Sequence, residues 1–582
     1  ASEVELILDL SDPALWWPHG VGEPALYDLD LALSRDGKPV HRIGERIGLR
    51  TVEWVQEKDH WGRSFFVRIN GRDVFAKGAN WIPADSFLPR VAPEIHRRQL
   101  ALAAEAEMNM IRVWGGGVYE DPAFYREADR LGLMVWQDFP YACALYPDDG
   151  EFRANALREA ESALARLCRH PSIVLWCGNN EIERDAEKLR RAFKTPFLGR
   201  SLWHEQLPDL ARRIAPDAAY IPSSPIGGET PDDPREGDRH LWRIWSGWRD
   251  YPVYLEEEGR FFSEFGFQAP ANPATWREAL APEDRHPQSL AFERHNKQIE
   301  GTERIFRFLA AHHRVPAEFE RFVRLSQDVQ GRALGLAVDH WRRRRPRTMG
   351  VLIWQLNDCW PVTSWSLFDY RMRPKAAWYH VRRGFRPRNI ALLPSAKGLE
   401  VHLLNDEADP WRAEVRLRAF DTGGGVGEEM KLPAEVPPES VLRLAEIDPE
   451  AWLPDPERWF IVADITGAAE SLTGAGAGDD SRLRREAGYG PRAFWFSVPF
   501  KHLRIGEAAV MVEAEERGGS PGVLLRTDRP AFGVWLEDEE NPDLMFLDNA
   551  LDLLAGEERW VATVAVPTGE PMAARRPRAH RI

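Results

Sequence analysis

The sequence predicts a multidomain protein with a central (β/α)8 barrel flanked by β-sandwich domains, and three observations carry that prediction. The chain has 582 residues, well beyond the roughly 250–300 at which a single hydrophobic core stops growing. From about residue 64 to residue 387, short apolar runs alternate with amphipathic segments, the rhythm of parallel strands joined by helical crossovers. On either side of that region apolar and polar residues alternate at period two between Gly- and Pro-rich turns, which marks antiparallel sheet.

Taken in order, residues 1–58 read as a partial β domain, with strands expected at Val4–Leu10 and Tyr27–Leu33. That is too few for a sandwich of about seven strands, so the remainder of this domain is expected to precede Ala1. Residues 59–387 form the predicted barrel, with eight strands at Val74–Ala79, Met110–Trp114, Leu133–Gln137, Ile173–Cys177, Ala219–Pro222, Arg239–Trp242, Phe261–Glu264 and Met349–Trp354. Helices are expected at Glu94–Glu107, Phe152–Cys168 and Glu187–Ile214, and in the long last crossover at Gln298–His313 and Ala317–Arg345. The run Arg342–Arg345 reads as the solvated, dipole-complementing last turn of that helix. Residues 388–495 and 496–582 read as two further β domains, separated near the Gly/Ala/Asp-rich segment Gly467–Gly490, which reads as mobile. The basic tail Arg575–Arg581 reads as disordered.

Composition narrows the function. Acidic residues outnumber basic ones 91 to 76, a net charge of −15, which disfavours nucleic acid as a partner. No apolar run reaches the ~18 residues that span a bilayer, so no membrane partner is expected. The four cysteines show no CxxC spacing and no nucleotide-binding loop is evident, so no metal and no cofactor are expected. Ala1–Leu10 lacks a signal-peptide pattern. With no disulfide pattern either, the cytoplasm is favoured, although the compartment stays open because the native start can lie upstream. The 24 tryptophans suit both a large core and stacking against sugar rings.

Two carboxylates stand out against this background. Ile173–Cys177 is a buried-strand pattern that ends in Gly178-Asn179-Asn180-Glu181, and Arg260–Phe267 carries Glu264 near the end of an aromatic strand. A lone ionised carboxylate on an apolar strand costs several kcal/mol unless it is paired or has a purpose. In a closed barrel both would reach the C-terminal mouth, where active sites lie. A facing pair there is what glycosidic-bond hydrolysis requires, with ~5 Å separation for a covalent double displacement and ~6.5–9.5 Å for inversion.

The motifs make the reading specific. Trp176-Cys177-Gly178-Asn179-Asn180-Glu181 and Phe262-Ser263-Glu264-Phe265-Gly266-Phe267-Gln268 resemble the acid/base and nucleophile segments of glycoside hydrolase family 2, in the version found in its β-mannosidases. Agreement extends through Lys77–Pro83, Asn109–Gly117, Trp136–Phe139, Gly237–Trp242 and Trp354–Pro361, nearly the whole barrel. The resemblance implies immunoglobulin-like sandwiches for the flanking β domains and a retaining exo-β-mannosidase acting on the non-reducing end of a carbohydrate substrate. Another family 2 specificity, β-galactosidase or β-glucuronidase, and a non-catalytic carbohydrate-binding fragment are the alternatives.

Carried over by residue, Glu181 becomes the acid/base, Glu264 the nucleophile and Asn180 the partner of the sugar 2-hydroxyl. Trp114, Trp242 and Trp354 become aromatic walls, and Asp238 and His240 polar contacts, each with a purely structural alternative. These roles require Glu181 to hold a proton while Glu264 stays ionised. Lys77 and Arg112 are read as neutralising buried carboxylates. Family members begin with a jelly-roll domain that has no counterpart here, so a separate or missing N-terminal domain is an expected partner.

Overall fold

The computed structural model describes residues 6–193, 197–466, 490–565 and 572–581. Eight parallel strands form its central sheet: β1 (Ala76–Trp81), β2 (Met110–Val113), β3 (Met134–Asp138), β4 (Ile173–Cys177), β5 (Ala219–Ile221), β6 (Arg239–Leu241), β7 (Phe262–Phe265) and β8 (Gly350–Ile353). Their spatial order is β5-β4-β3-β2-β1-β8-β7-β6, so the first and last strands pair and the sheet curls as a barrel does. Between β5 and β6 there is no strand ladder among the described residues. The seam is closed instead by Asp238, whose N–H donates to the Ile226 carbonyl (3.0 Å) and whose carboxylate accepts from Ile226 N–H and the Ser224 hydroxyl (2.8 and 2.6 Å). Strand residues such as Met110, Ile111, Val135, Leu175 and Val351 are fully buried, as parallel strands covered on both faces must be.

The end of the barrel opposite the site is plugged. Val52–Val55, Phe66–Ile69 and Arg72–Val74 form a three-stranded antiparallel sheet. Trp54 and Phe65 pack there against Trp136 and Phe261, with ring centroids 4.9–6.5 Å apart. This sheet runs across residue 58, because the pairing partner of Val52–Val55 lies beyond it. Ahead of it, the hairpin Tyr27–Arg35/Lys38–Ile47 is exposed on both faces, with Leu33 64% and Val40 61% accessible.

Beyond the barrel, three- and four-stranded antiparallel sheets enclose Ile390, Leu403, Val415, Leu417 and Ile461. A second such pair of sheets encloses Val523, Leu525, Val534, Leu536 and Val561. Residues 467–489 of the segment expected to be mobile lie outside the described residues.

Several expectations are corrected. The described part of Val4–Leu10, residues 6–10, is exposed and forms no strand, since alternation supplies a face but not a pairing partner. Glu187–Ile214 is not one helix: Ile182–Phe193 ends before a separate helical stretch from Leu202 to Ile214, and Gly199 adopts a left-handed φ of 76° between them. The tail is ordered where Pro577–His580 adds antiparallel to Ala531–Asp538.

Nor is the arginine run solvated. Arg342 and Arg345 reach Asp406 at the start of the first sandwich (2.7 and 3.5 Å), Arg343 reaches Glu400 (2.8 Å), and Lys77 meets the same Asp406 at 3.0 Å. The charge complement of these arginines is supplied by the neighbouring domain, which helix periodicity does not reveal.

Candidate active site

The two motif glycines are set by close approaches at strand ends. A Cβ on Gly178 would lie 2.4 Å from the Pro222 carbonyl oxygen, and one on Gly266 would lie 2.3 Å from that of Trp354. After Gly178 the backbone is anchored to both neighbouring strands, with Asn180 N–H donating to Tyr141 O (2.8 Å) and Glu181 N–H to Ser224 O (2.7 Å). These bonds hold Glu181 at a left-handed φ of 62°, a conformation that costs a non-glycine residue about 1–3 kcal/mol and recurs at functional positions.

Arg112, on β2, organises the floor. Its guanidinium lies over the Trp136 ring, 5.3 Å from the centroid, and is fully buried. It donates to Asp138 (2.8 Å), to Glu264 Oε1 (2.8 Å), to Asn180 Oδ1 (2.7 Å) and to Asn80 Oδ1 (3.2 Å). Burial works against its charge, but Asp138 and Glu264 outweigh that effect and raise its pKa further. One guanidinium thus fixes both the carboxylate of β7 and the amide that precedes Glu181.

His240, at the C-terminal end of β6, bridges the two acids. Its Nδ1 is 2.8 Å from Glu181 Oε1 and 3.2 Å from Glu264 Oε2. Burial, reinforced by Arg112 and Arg184, pushes its pKa well below the usual value, so the ring is neutral. Nε2 faces the obligate donor Arg112 (3.4 Å) and Nδ1 faces the two carboxylates, so the ring proton belongs on Nδ1. Ser224 is held by Asp238, itself bound by Ser263.

The remaining contacts complete the pair's surroundings. Trp242 Nε1 donates to Glu264 Oε2 at 3.1 Å, and Arg184 lies 2.5 Å from Glu181 Oε2. Asn180 Nδ2 faces the weak acceptor Cys143 Sγ at 3.2 Å. One oxygen of Glu181, one nitrogen of His240 and one oxygen of Glu264 all lie within 4.8 Å of one another. That spacing could accept a cation, but Arg112 and Arg184 already supply the positive charge on the same two carboxylates.

Electrostatics differ from expectation on one point. Burial pushes Glu264 up to about 8, with Glu181 adding to the rise and Arg112, Arg184 and the Trp242 bond opposing it. The upward pressure therefore falls on the deeper acid of the pair. Two carboxylates this close share a proton in a pair-wide titration. Asp238 is likewise pushed up to about 6 by burial, against its serine and backbone donors.

Of the residues named from sequence, Glu181, Glu264, Asn180, His240 and Trp242 converge on this cluster. Trp114, Trp354, Trp242 and Trp365 form a continuous edge-to-face series, with successive centroids 5.0, 6.5 and 5.8 Å apart. Trp114 and Trp365 have buried indole N–H groups with no partner among the described residues. Asp238 is fully buried behind His240 and faces the seam rather than the mouth.

Sequence does not single out Arg184, Ser224, Cys143 or Trp365, and it marks Arg112 only as a neutraliser. An arginine inside the apolar run Met110–Val113 is the same anomaly as a lone carboxylate and was readable as such. Arg184 follows Glu181 at i+3 on a helix, a weaker signal.

Comparison with known proteins identifies the family. The family described as glycosyl hydrolases family 2 matches residues 1–50, a mannosidase Ig/CBM-like domain matches residues 397–474, and an Ig-fold domain of the mannosidase type matches residues 506–577. Beta-mannosidase B of Emericella nidulans is 40% identical over 584 residues, covering 95% of this chain and 67% of that protein. Beta-mannosidase B of Aspergillus oryzae is 32% identical over 600 residues, covering 97% and 68%.

The crystal structure of the β-D-mannosidase from Dictyoglomus thermophilum superposes with a TM-score of 0.89 at 36% identity, covering 99% of this chain and 68% of that one. An Amycolatopsis orientalis exo-chitosanase shares the fold at a TM-score of 0.74 and 18% identity, covering 98% and 71%. With the paired carboxylates at the barrel mouth and relatives this similar along almost its whole length, the chain belongs to glycosyl hydrolase family 2, as a glycoside hydrolase of the β-mannosidase type.

Proposed function

We propose that the protein is a retaining exo-β-mannosidase that removes terminal β-D-mannose from the non-reducing end of mannosides. The observation that carries this reading is the approach of Glu181 and Glu264 oxygens within 4.8 Å, which suits a double displacement and leaves too little room for the water of an inverting enzyme. Glu264 is the nucleophile: Arg112 fixes Oε1, while Trp242 and His240 hold Oε2 toward the mouth. Glu181 donates its proton to the leaving oxygen. Once Glu264 is esterified its charge is gone, and Glu181 takes a proton from the incoming water.

Asn180 has its carbonyl engaged by Arg112 and one amide hydrogen turned to Cys143 Sγ, which leaves the other for the sugar 2-hydroxyl, axial in mannose. Exo action is what the motif resemblance to the family 2 β-mannosidases implies.

The test is side-by-side hydrolysis of aryl β-mannoside, β-galactoside and β-glucuronide, with trapping by 2-deoxy-2-fluoro-β-mannosyl fluoride. Preference for mannoside and a covalent label mapped to Glu264 are expected. A different preferred sugar, or a label elsewhere, would overturn the proposal.

A further inference from the structure

Away from the mouth, a cavity of about 500 Å³ opens where the barrel helices Phe319–Arg342 and Ala376–Gly384 meet the two C-terminal sandwiches. One end is apolar, lined by Leu336, Leu392, Phe494 and Phe500. The other end is basic. Arg383, Arg386 and Arg559 line the cavity along with Asp339 and Asp552, and these three guanidiniums together with Arg382 act on the single carboxylate of Asp548 and hold it far below its usual pKa.

The hydrogen bonds do not satisfy all four. Arg383 takes Asp548 Oδ1 (2.7 Å) and the carbonyls of Asn549 and Ala550 (both 2.9 Å). Arg559 takes Oδ2 (2.6 Å), and Arg382 bonds the Leu547 carbonyl. Arg386, which lines the cavity, has no side-chain hydrogen bond or ion pair among the described residues. Burial and the adjacent guanidiniums push its pKa down to about 10. His380, also on the cavity wall, has a buried Nε2 without a partner.

An uncompensated guanidinium in a partly desolvated cavity is costly without an acceptor, and its planar fork is matched by an oxyanion. The volume lies within the range of small-molecule sites and far exceeds that of one water. We propose that this cavity is a second binding site, for a small oxyanion carried on an apolar body, with Arg386 as the anchoring residue and the phenylalanine-lined end receiving the apolar part. An occupant would touch the barrel and both sandwiches at once, so binding would stabilise the assembled molecule.

Phenyl phosphate, inorganic phosphate, benzoate and neutral phenol are the probes, read by calorimetry and by melting temperature. Phenyl phosphate is expected to bind once per chain and raise the melting temperature, benzoate and phosphate to bind more weakly, and phenol not to bind. Arg386→Gln should weaken phenyl phosphate about 10- to 100-fold, the loss expected for a charged hydrogen-bonded contact. It should leave glycosidase activity unchanged and, without probe, melt no lower than the parent.

Arg386→Lys, which keeps the charge but loses the fork, should also bind more weakly, and it covers the case in which the glutamine variant does not fold. Absence of binding by all three anions, binding unchanged in both variants, or a lowered melting temperature of Arg386→Gln with no anion effect in the parent would each overturn the proposal.

Discussion

At the residue scale, the site depends on where one proton sits. The pair needs a single proton, and with Glu264 pushed up to about 8 that proton is lost near pH 8. The expected outcome is a basic limb of kcat/KM with a midpoint near that value, measured on an aryl mannoside. The same shift has a stability sign. A carboxyl whose folded pKa exceeds its unfolded value binds more protons when folded, so its contribution falls as pH rises from about 4.5 to about 8. Glu264→Gln should abolish turnover and also flatten that part of the melting-temperature profile. Glu181→Ala should keep the first step for activated aryl mannosides, and azide should restore turnover as β-mannosyl azide. His240→Ala removes the neutral donor between the acids and should lower kcat about 10²–10³-fold, as loss of one preorganised donor does. Glu181 and Glu264 were legible because a carboxylate on an apolar strand is conspicuous one residue at a time. His240 as a bridge, its Nε2 facing Arg112 and its Nδ1 facing both acids, was not legible, because that role exists only once β2, β6 and β7 face one another across the barrel.

At the scale of elements, all eight barrel strands were readable, since most are short apolar runs with a crossover behind them. What was not readable was pairing. Residues 6–10 alternate like a strand but have no partner, whereas Pro577–His580 looks like a charged tail and is recruited as an edge strand by Ala531–Asp538. The carboxylate partners of Arg342, Arg343 and Arg345 are hidden from the sequence for the same reason, because they lie in another domain. Asp406 is the focus of that junction, held down to about 2 chiefly by Arg342 and Lys77 against the burial that would raise it. Asp406→Ala would leave these cations without their shared carboxylate, so a loss of about 3–5 kcal/mol is expected from denaturant titration. The pH sign here is opposite to that of Glu264: the contribution is present above about pH 4 and is lost as pH falls through about 2.

For the whole molecule, thirteen of the 24 tryptophans serve two tasks. Nine, among them Trp16, Trp136, Trp176 and Trp341, are fully buried in cores, while Trp114, Trp242, Trp354 and Trp365 form the series at the mouth. Composition announced the excess but could not apportion it. The hairpin Tyr27–Ile47 shows the opposite imbalance, with Leu31, Leu33, Val40 and Ile43 all exposed. Apolar side chains on an exposed two-stranded edge favour association. The chain is expected to self-associate as its concentration rises, and Leu33→Lys with Val40→Lys should return it to a monomer by light scattering without altering the barrel's circular dichroism.

The seam between β5 and β6 has a kinetic consequence. Seven junctions of the barrel are laced by main-chain ladders, but the eighth is fastened largely by the side chain of Asp238. Amide protons along that junction should therefore trade with solvent deuterium sooner than those of β1 to β4, because breaking a few side-chain bonds parts the staves there. The Ser224 that Asp238 grips also steadies His240, so each opening of the wall would release the imidazole between the two acids.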